Sequence, residues 1–209
     1  MIELYGYWRS SASYRVRIAL NLKELEYATR VVHLVKNGGE HHSDGYKKLN
    51  PQQLLPTLID GEHTLTQSLA ICEYLEEAYP ERTRLLPESF AERAKVRAFA
   101  QAIACEIAPL GNLRVLNAVE ELGGQKAEWS RKWMATTFQA LESQVRDSAY
   151  CVGETVTMAE CFLVPQMYNA RRWELDLTPY PNLVRIDAQC ARLDAFMRAH
   201  PDRQPDATE

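Results

Sequence analysis

Strand-like patterns occur only in the first 79 residues of this chain, and this asymmetry limits the folds that it can adopt. Short strand-like runs begin at Ile2, Tyr27 and Thr57, and a fourth returns antiparallel after the turn at Asp60 and Gly61. Apolar residues at helical spacing lie between the first two strands and again after the fourth. This order predicts a mixed four-stranded sheet with helices packed on it.

The composition changes at a linker framed by Pro80 and Pro87. Beyond this linker no convincing strand pattern follows, and apolar residues recur at helical spacing. We therefore predict two domains, an α/β domain over residues 1–80 and an all-α domain over residues 87–209.

The sequence predicts where helices of the second domain break and where the last helix ends. We expect the helix marked by Val96 to Ile107 to kink or break near Pro109. Thr157 begins a capping box for an apolar helix that we expect Pro165 to interrupt. The spacing from Leu183 to Met197 predicts one last helix, followed by a loosely held polar tail over residues 202–209.

Composition and charge exclude several classes of protein. The net charge is −4 with acidic and basic residues interspersed, so no basic face indicates a nucleic-acid partner. No apolar run approaches the ~18–20 residues of a membrane span, and the opening residues lack a secretion signal. The 5 cysteines are scattered without the spacing of a zinc site, which predicts free thiols and a cytoplasmic location.

The segment over residues 7–15 joins the first strand to the first helix and contains the strongest candidate site. Ser10 and Ser11 stand where the helix begins. A helix start offers unbonded backbone N–H groups and a positive dipole end, which stabilise a bound thiolate. The alternative is that a serine there merely caps the helix.

Two further segments suggest binding of a peptide-like ligand. Pro56 immediately precedes the third strand, and a cis bond there would turn the backbone of Leu55 outward, where it could pair with an extended peptide. Gln67 and Ser68 open a second helix whose start suits a carboxylate, unless they serve only as caps. The adjacent histidines at His41 favour a solvated loop over a metal site, because no acidic partner lies at ligand spacing.

These segments carry a resemblance that spans nearly the whole chain. The stretch over residues 9–20, RSSASYRVRIAL, resembles the serine-rich signature of zeta-class glutathione transferases. The similarity continues in NP at 50–51, LPTL at 55–58, QSLAI at 67–71, LLP at 85–87, VTMA at 156–159, LVPQ at 163–166 and RQPD at 203–206. The resemblance implies a thioredoxin-like first domain, an all-α second domain, a homodimer and glutathione as cofactor.

The resemblance also implies roles for individual residues. Ser10, with Ser11 beside it, corresponds to the serine that holds the glutathione thiolate, and the backbone through Ala12 faces the sulfur. The expected glutathione contacts elsewhere are His41 at the glycyl end, Leu55 and Pro56 at the cysteinyl unit, and Gln67 and Ser68 at the γ-glutamyl carboxylate. The expected ligands of a dicarboxylate substrate are Arg9, Asn112, Arg114 and Arg172, and the alternative for each arginine, above all for Arg114, is a surface charge.

The reaction implied is the glutathione-dependent cis–trans isomerisation of maleylacetoacetate to fumarylacetoacetate in tyrosine and phenylalanine breakdown. Isomerisation of maleylpyruvate, conjugation or dehalogenation of α-haloacids, and a non-catalytic regulatory subunit of the same fold remain alternatives. The sequence departs from the family pattern at Ala12, where relatives commonly have cysteine. A glutamine expected near Pro109 is also missing, which makes the substrate contacts less defined than the glutathione contacts.

Overall fold

The computed structural model describes residues 1–146 and 148–207. The chain forms two compact units. The first contains Met1–Arg84 together with the segment that begins at Leu193, and the second contains Leu85–Arg192. The sequence pattern predicts a helical domain over residues 87–209, and the structure groups the segment that begins at Leu193 with the first unit.

The first unit is built on a four-stranded sheet, as predicted. Its strands are β1 (Ile2–Gly6), β2 (Tyr27–Val31), β3 (Thr57–Asp60) and β4 (His63–Thr66). The spatial order is β2-β1-β3-β4, with β1 and β2 parallel and the other pairs antiparallel. The α-helices of the chain are α1 (Ser11–Leu22), α2 (Asp44–Leu49), α3 (Ser68–Ala78), α4 (Phe90–Gln101), α5 (Leu113–Glu121), α6 (Lys126–Gln144), α7 (Met158–Arg172), α8 (Pro181–Cys190) and α9 (Asp194–Ala199).

Helix α1 is buried along most of its length because it packs against both α3 and α9. The predicted apolar face is confirmed, since Val16, Ala19 and Leu20 are fully buried. Lys23, at the end of this face, is fully buried as well. Its ammonium lies 3.0 Å from a carboxylate oxygen of Glu76 on α3, so α1 and α3 are joined by a buried ion pair.

The last predicted helix is two helices. Helix α8 ends at Cys190, α9 begins at Asp194, and α9 packs on α1. Arg17 Nε donates to the carbonyl of Ala199 at 3.0 Å, and Asn21 Nδ2 donates to the carbonyl of Ala195 at 2.9 Å. In the sequence the apolar spacing runs without interruption from α8 into α9. The helix nevertheless breaks between them, because α9 is held against α1 by these hydrogen bonds.

The polar tail is not loosely held where the structure describes it. Gln204 is buried, and its Nε2 donates to the carbonyls of Arg198 and His200, both at 2.9 Å. Asp206 is 3% exposed. The prediction was wrong for this part because polar side chains were read as solvated, whereas these two bond to backbone groups. Residues 208–209 of the predicted tail lie outside the described residues.

In the second unit, α4 packs on α7 and α7 packs on α8. Helix α4 continues into a π-helical stretch, Ala102–Ile107, and the helix ends before Pro109, so the expected break is confirmed. The capping box of Thr157 and Glu160 is present, but α7 runs on through Pro165 instead of being interrupted. The residues on both sides of Pro165 are buried, and this packing keeps the helix continuous although proline removes one backbone hydrogen bond. Among the described helices, none is both long and apolar enough to cross a membrane.

Candidate active site

The predicted glutathione-binding segments of the first unit meet at one edge of the sheet. Gly6 at the end of β1 pairs with Val31 at the end of β2. Tyr5 pairs with Thr57 at the start of β3, and Thr57 pairs with Thr66 at the end of β4. The loops that leave β1, β2 and β4, and the loop that enters β3, therefore lie side by side. These loops carry Ser10, His41, Gln67 and Leu55 respectively.

Ser10 is the N-cap of α1. Its Oγ accepts a hydrogen bond from the backbone N–H of Ser13 at 3.2 Å, so the capping role is real. Capping uses the oxygen as an acceptor and leaves the hydroxyl proton to donate to another group. The backbone N–H groups of Ser11 and Ala12 have no acceptor within the part of the chain that the structure describes. Because the first turn has no acidic residue, this helix start suits an anion.

The turn from β1 into α1 requires a close approach of the two elements. A Cβ at Gly6 would lie 3.1 Å from Ser13 Oγ, closer than side-chain carbons normally come. Glycine at this position therefore allows α1 to begin directly beside the end of β1, and this places Ser10 at the sheet edge.

The loop before β3 presents an unpaired peptide backbone. The Leu55–Pro56 bond is cis. The carbonyl of Leu54 accepts hydrogen bonds from Tyr46 Oη at 2.7 Å and from Asn50 Nδ2 at 2.8 Å. These two bonds fix the backbone of the loop next to Leu55. In the described part of the chain, neither the N–H nor the C=O of Leu55 has a partner. The predicted backbone site for an extended peptide is thus available.

The start of α3 is the second candidate anion site. Gln67 has a positive φ of 68°, which is uncommon for a residue with a side chain, and such conformations cluster at functional sites. Ser68 Oγ accepts from Arg15 Nη1 at 3.2 Å. A guanidinium can only donate, so the hydroxyl proton of Ser68 remains available for a carboxylate. Arg15 is 2% exposed and brings a positive charge to this helix start.

Sequence reasoning missed Arg15 because an arginine within a helix is usually solvated. The available signal was its position directly before Val16, in the most buried stretch of α1.

His41 lies on a loop that is closed by its neighbours. The backbone N–H of His33 donates to Glu40 Oε2 at 2.7 Å, and the backbone N–H of Glu40 donates to the carbonyl of His33 at 2.8 Å. Gly39 has a φ of 101°, and a Cβ there would lie 2.5 Å from the His41 ring. His41 Nδ1 is buried and has no hydrogen-bond partner among the described residues. Burial and the adjacent His42 imidazole both lower the pKa of His41, so this ring is neutral at physiological pH.

The predicted substrate ligands occupy helix ends and loops in both units. The guanidinium of Arg9 lies 5.3 Å from the centre of the Trp8 ring, a cation–π distance. Asn112 is the N-cap residue of α5, and Arg114 is an exposed residue of its first turn. Arg172 is exposed at the end of α7, 5.5 Å from the centre of the Trp173 ring. Their part in substrate binding stays a prediction.

Comparison with known proteins agrees with this geometry. The family model for the glutathione S-transferase N-terminal domain matches residues 4–83. A probable maleylacetoacetate isomerase from Vibrio cholerae is 51% identical over 98% of this chain and 97% of its own length. The holo structure of a bacterial maleylpyruvate isomerase, a zeta-class glutathione S-transferase, is 45% identical and covers 98% of this chain and 99% of its own, with a TM-score of 0.94.

The chain belongs to the zeta class of the glutathione S-transferases. A further similar structure, a maleylacetoacetate isomerase from Methylobacterium extorquens AM1, contains bound malonate and GSH. It is 38% identical over 98% of this chain and 99% of its own, with a TM-score of 0.91. The fold expected from the sequence, a thioredoxin-like domain followed by a helical region, is therefore confirmed.

The site of this zeta-class transferase fits glutathione on its own geometry. Two helix starts suit the thiolate and a carboxylate, an unpaired backbone at Leu55 suits the central peptide, and the unpartnered Nδ1 of His41 suits a further polar group. Ala12 carries no thiol, and burial raises the pKa of the Cys72 thiol to about 12. A protein thiolate is therefore not needed to explain this site, because a bound tripeptide would supply the sulfur.

Proposed function

We propose that this zeta-class transferase catalyses the glutathione-dependent cis–trans isomerisation of maleylacetoacetate to fumarylacetoacetate, a step in the breakdown of tyrosine and phenylalanine. The observation that carries the proposal is the start of α1, where the Ser10 hydroxyl and the N–H groups of Ser11 and Ala12 are available as donors to a thiolate. The relatives named as isomerases of maleyl acids, with 38–51% identity, support the choice of substrate.

Glutathione would be held along the sheet edge by residues of the first unit. The N–H and C=O of Leu55, beside Pro56, pair with the cysteinyl unit of an extended tripeptide. Gln67 and the hydroxyl of Ser68 bind the γ-glutamyl carboxylate, with the buried charge of Arg15 beside Ser68. His41 donates to the glycyl end. Gln67 Nε2 already donates one hydrogen bond to Gln52 Oε1 at 2.8 Å, and its second hydrogen remains for the ligand.

When bound, glutathione supplies a thiolate that adds to an alkene carbon conjugated with a carbonyl, allows rotation about the resulting single bond, and leaves unchanged. Ser10 keeps the sulfur ionised by donating a hydrogen bond from its hydroxyl, and the first-turn N–H groups add the positive field of the helix dipole. Arg9 and Arg172 bind the substrate carboxylates and oppose the negative charge that develops next to the carbonyl. Asn112 and Arg114 at the start of α5 are further substrate ligands.

Maleylpyruvate is the second candidate substrate, because a relative with a TM-score of 0.94 is a maleylpyruvate isomerase. The test is a side-by-side kinetic assay of maleylacetoacetate and maleylpyruvate at catalytic glutathione concentrations, with remaining thiol measured at the end. We expect turnover of maleylacetoacetate with the higher kcat/KM and no consumption of glutathione. Stoichiometric loss of thiol would instead indicate conjugation, as with α-haloacids, and no reaction with either acid would contradict the proposal.

We also propose that the protein acts as a homodimer in the cytoplasm. The free thiols of Cys72, Cys151, Cys161 and Cys190, all buried, favour a reducing compartment. The resemblance to the zeta class supports the dimer, and light scattering on the purified protein tests it directly.

Replacing His41 by alanine is expected to raise the KM for glutathione about fivefold with little change in kcat. The reason is that a neutral imidazole contributes one hydrogen bond, worth about 1 kcal/mol, equally before and during the reaction. His42→Ala is the matched control, because the His42 ring is exposed and bonds to Gln53 instead. Equal effects of both substitutions on KM would show that loop packing, rather than a contact from His41, explains the result.

A further inference from the structure

The backbone N–H and C=O of Trp8 are each held by a buried charged side chain, and these two side chains, Asp206 and Arg17, form a clamp on the backbone of Trp8. Its N–H donates to Asp206 Oδ2 at 2.9 Å, although the two residues are 198 positions apart in the chain. Its carbonyl accepts from Arg17 Nη2 at 3.0 Å. Trp8 directly precedes Arg9 and Ser10, so the clamp acts on the loop that carries the proposed thiolate site.

Arg17 extends the clamp to Ser10 itself. Its Nη1 donates to the carbonyl of Tyr7 at 3.4 Å, and the same carbonyl accepts the backbone N–H of Ser10 at 3.0 Å. Its Nε donates to the carbonyl of Ala199 at the end of α9. One guanidinium therefore connects the loop before α1 with the C-terminal segment of the chain.

The clamp is rigid because its charged groups are buried and held in turn. Asp206 and Arg17 are each 3% exposed, and hydrogen bonds to charged groups in such surroundings are stronger than those in water. Gln204, two residues before Asp206, fixes the tail through the carbonyls of Arg198 and His200. The carboxylate thus reaches Trp8 from a backbone that is itself tied down.

The position of the Trp8 side chain also affects the position of Arg9. The Arg9 guanidinium lies over the Trp8 ring at 5.3 Å, and the Trp8 ring packs edge-on against Tyr7, with centres 5.9 Å apart. A shift of the Trp8 peptide would therefore move both the cation proposed to bind substrate and the serine proposed to hold the sulfur.

We propose that Asp206 is a positioning residue of the active site, which acts with Arg17 through the Trp8 peptide to hold Ser10 and Arg9 in place. In this proposal the C-terminal tail supports the loop that carries Arg9 and Ser10. This inference rests on the proposed function, since it assumes that glutathione is bound at the start of α1. Asp206 does not touch glutathione; it sets the geometry of the groups that do.

The test compares Asp206→Ala and Asp206→Asn with Asp202→Ala. Asp202 is the matched control, because it lies in the same tail, is exposed, and has its carboxylate 3.7 Å from His200 Nδ1. The readouts are the pKa of the glutathione thiol bound to each variant, measured from thiolate absorbance against pH, hydrogen exchange of the amides in residues 7–10, and the melting temperature.

In Asp206→Ala we expect faster exchange at Trp8, a bound-thiol pKa about 1 unit higher, and a roughly tenfold lower kcat/KM near neutral pH, which partly recovers at higher pH. Asp206→Asn keeps an acceptor oxygen for the Trp8 N–H and should restore most of the lost activity. Asp202→Ala should behave like the unsubstituted protein. A lower melting temperature in Asp206→Ala without a change in the bound-thiol pKa or in kcat/KM would overturn the inference and leave Asp206 a structural residue.

The two proposals fail in different ways. If the unsubstituted protein binds glutathione but turns over no maleyl acid, the proposed function fails, while the bound-thiol pKa still tests Asp206. If the unsubstituted protein isomerises its substrate and Asp206→Ala does so equally well, only the positioning role fails. If the unsubstituted protein binds no glutathione, both are overturned.

Discussion

Replacing Ser10 by alanine is expected to lower kcat/KM by about 100- to 1000-fold, the loss typical of removing one preorganised donor to a reacting anion. The hydroxyl proton of Ser10 is not used by the cap, since Ser10 Oγ only accepts from the N–H of Ser13. Without this donor, the pKa of the bound glutathione thiol should be higher, and the rise of kcat/KM with pH should move to higher pH. Steady-state kinetics from pH 6 to pH 10 measure both effects.

The substitution also removes a helix cap, which costs about 1 kcal/mol of stability. Ser43→Ala is the matched control for this effect, because Ser43 is the N-cap of α2 and accepts from the N–H of Tyr46 at 3.3 Å. We expect a similar loss of stability in Ser43→Ala with kcat unchanged. If Ser10→Ala loses only as much activity as Ser43→Ala, Ser10 is a cap alone and the proposed role in catalysis is wrong.

The second large effect is expected for the ion pair between Lys23 and Glu76. Replacing Glu76 by leucine should lower the free energy of unfolding by about 3–5 kcal/mol, because it leaves a fully buried ammonium without its carboxylate. Lys23 Nζ would still donate hydrogen bonds to the carbonyls of Tyr79, at 3.2 Å, and Thr83, at 3.1 Å. These carbonyl dipoles do not neutralise the charge of the ammonium. Urea unfolding followed by circular dichroism measures the change.

A double-mutant cycle separates the pair from its surroundings. Lys23→Met removes the charge, and the double substitution with Glu76→Leu replaces the whole pair by apolar side chains of similar length. Such replacements are often neutral, so we expect the double variant to unfold within about 1 kcal/mol of the original protein. Equal losses in the double variant and in Glu76→Leu would show that packing, and not the buried charge, explains the single result.

The local features of this protein followed from short stretches of its sequence. The alternation from Ile2, the helical spacing after Ser11 and the Asp60-Gly61 turn each involve neighbours in the chain, and β1, α1 and the hairpin of β3 and β4 formed as predicted. The same holds for the capping box of Thr157 and Glu160. Hydrophobic periodicity and turn chemistry act over a few residues, which is why a single sequence reveals them.

Features that join distant parts of the chain could not be obtained in this way. The period from Leu183 to Met197 concealed the break between α8 and α9, because α9 packs on α1 of the first unit, whereas α8 packs on α7 of the second. Likewise, the polar residues from 202 onward look solvated until the backbone groups that they bind are known.

The sequence by itself determined the strand and helix pattern, the segments that carry Ser10, Leu55 and Gln67, and the family to which the chain belongs. Only the tertiary structure decided which buried charges serve those segments. Arg15 on α1 donates a hydrogen bond to Ser68 on α3, and Asp206 accepts a hydrogen bond from Trp8, which lies 198 positions earlier in the chain. Both are charged residues whose burial is stable only because a specific partner lies there, and the position of that partner is a property of the folded chain.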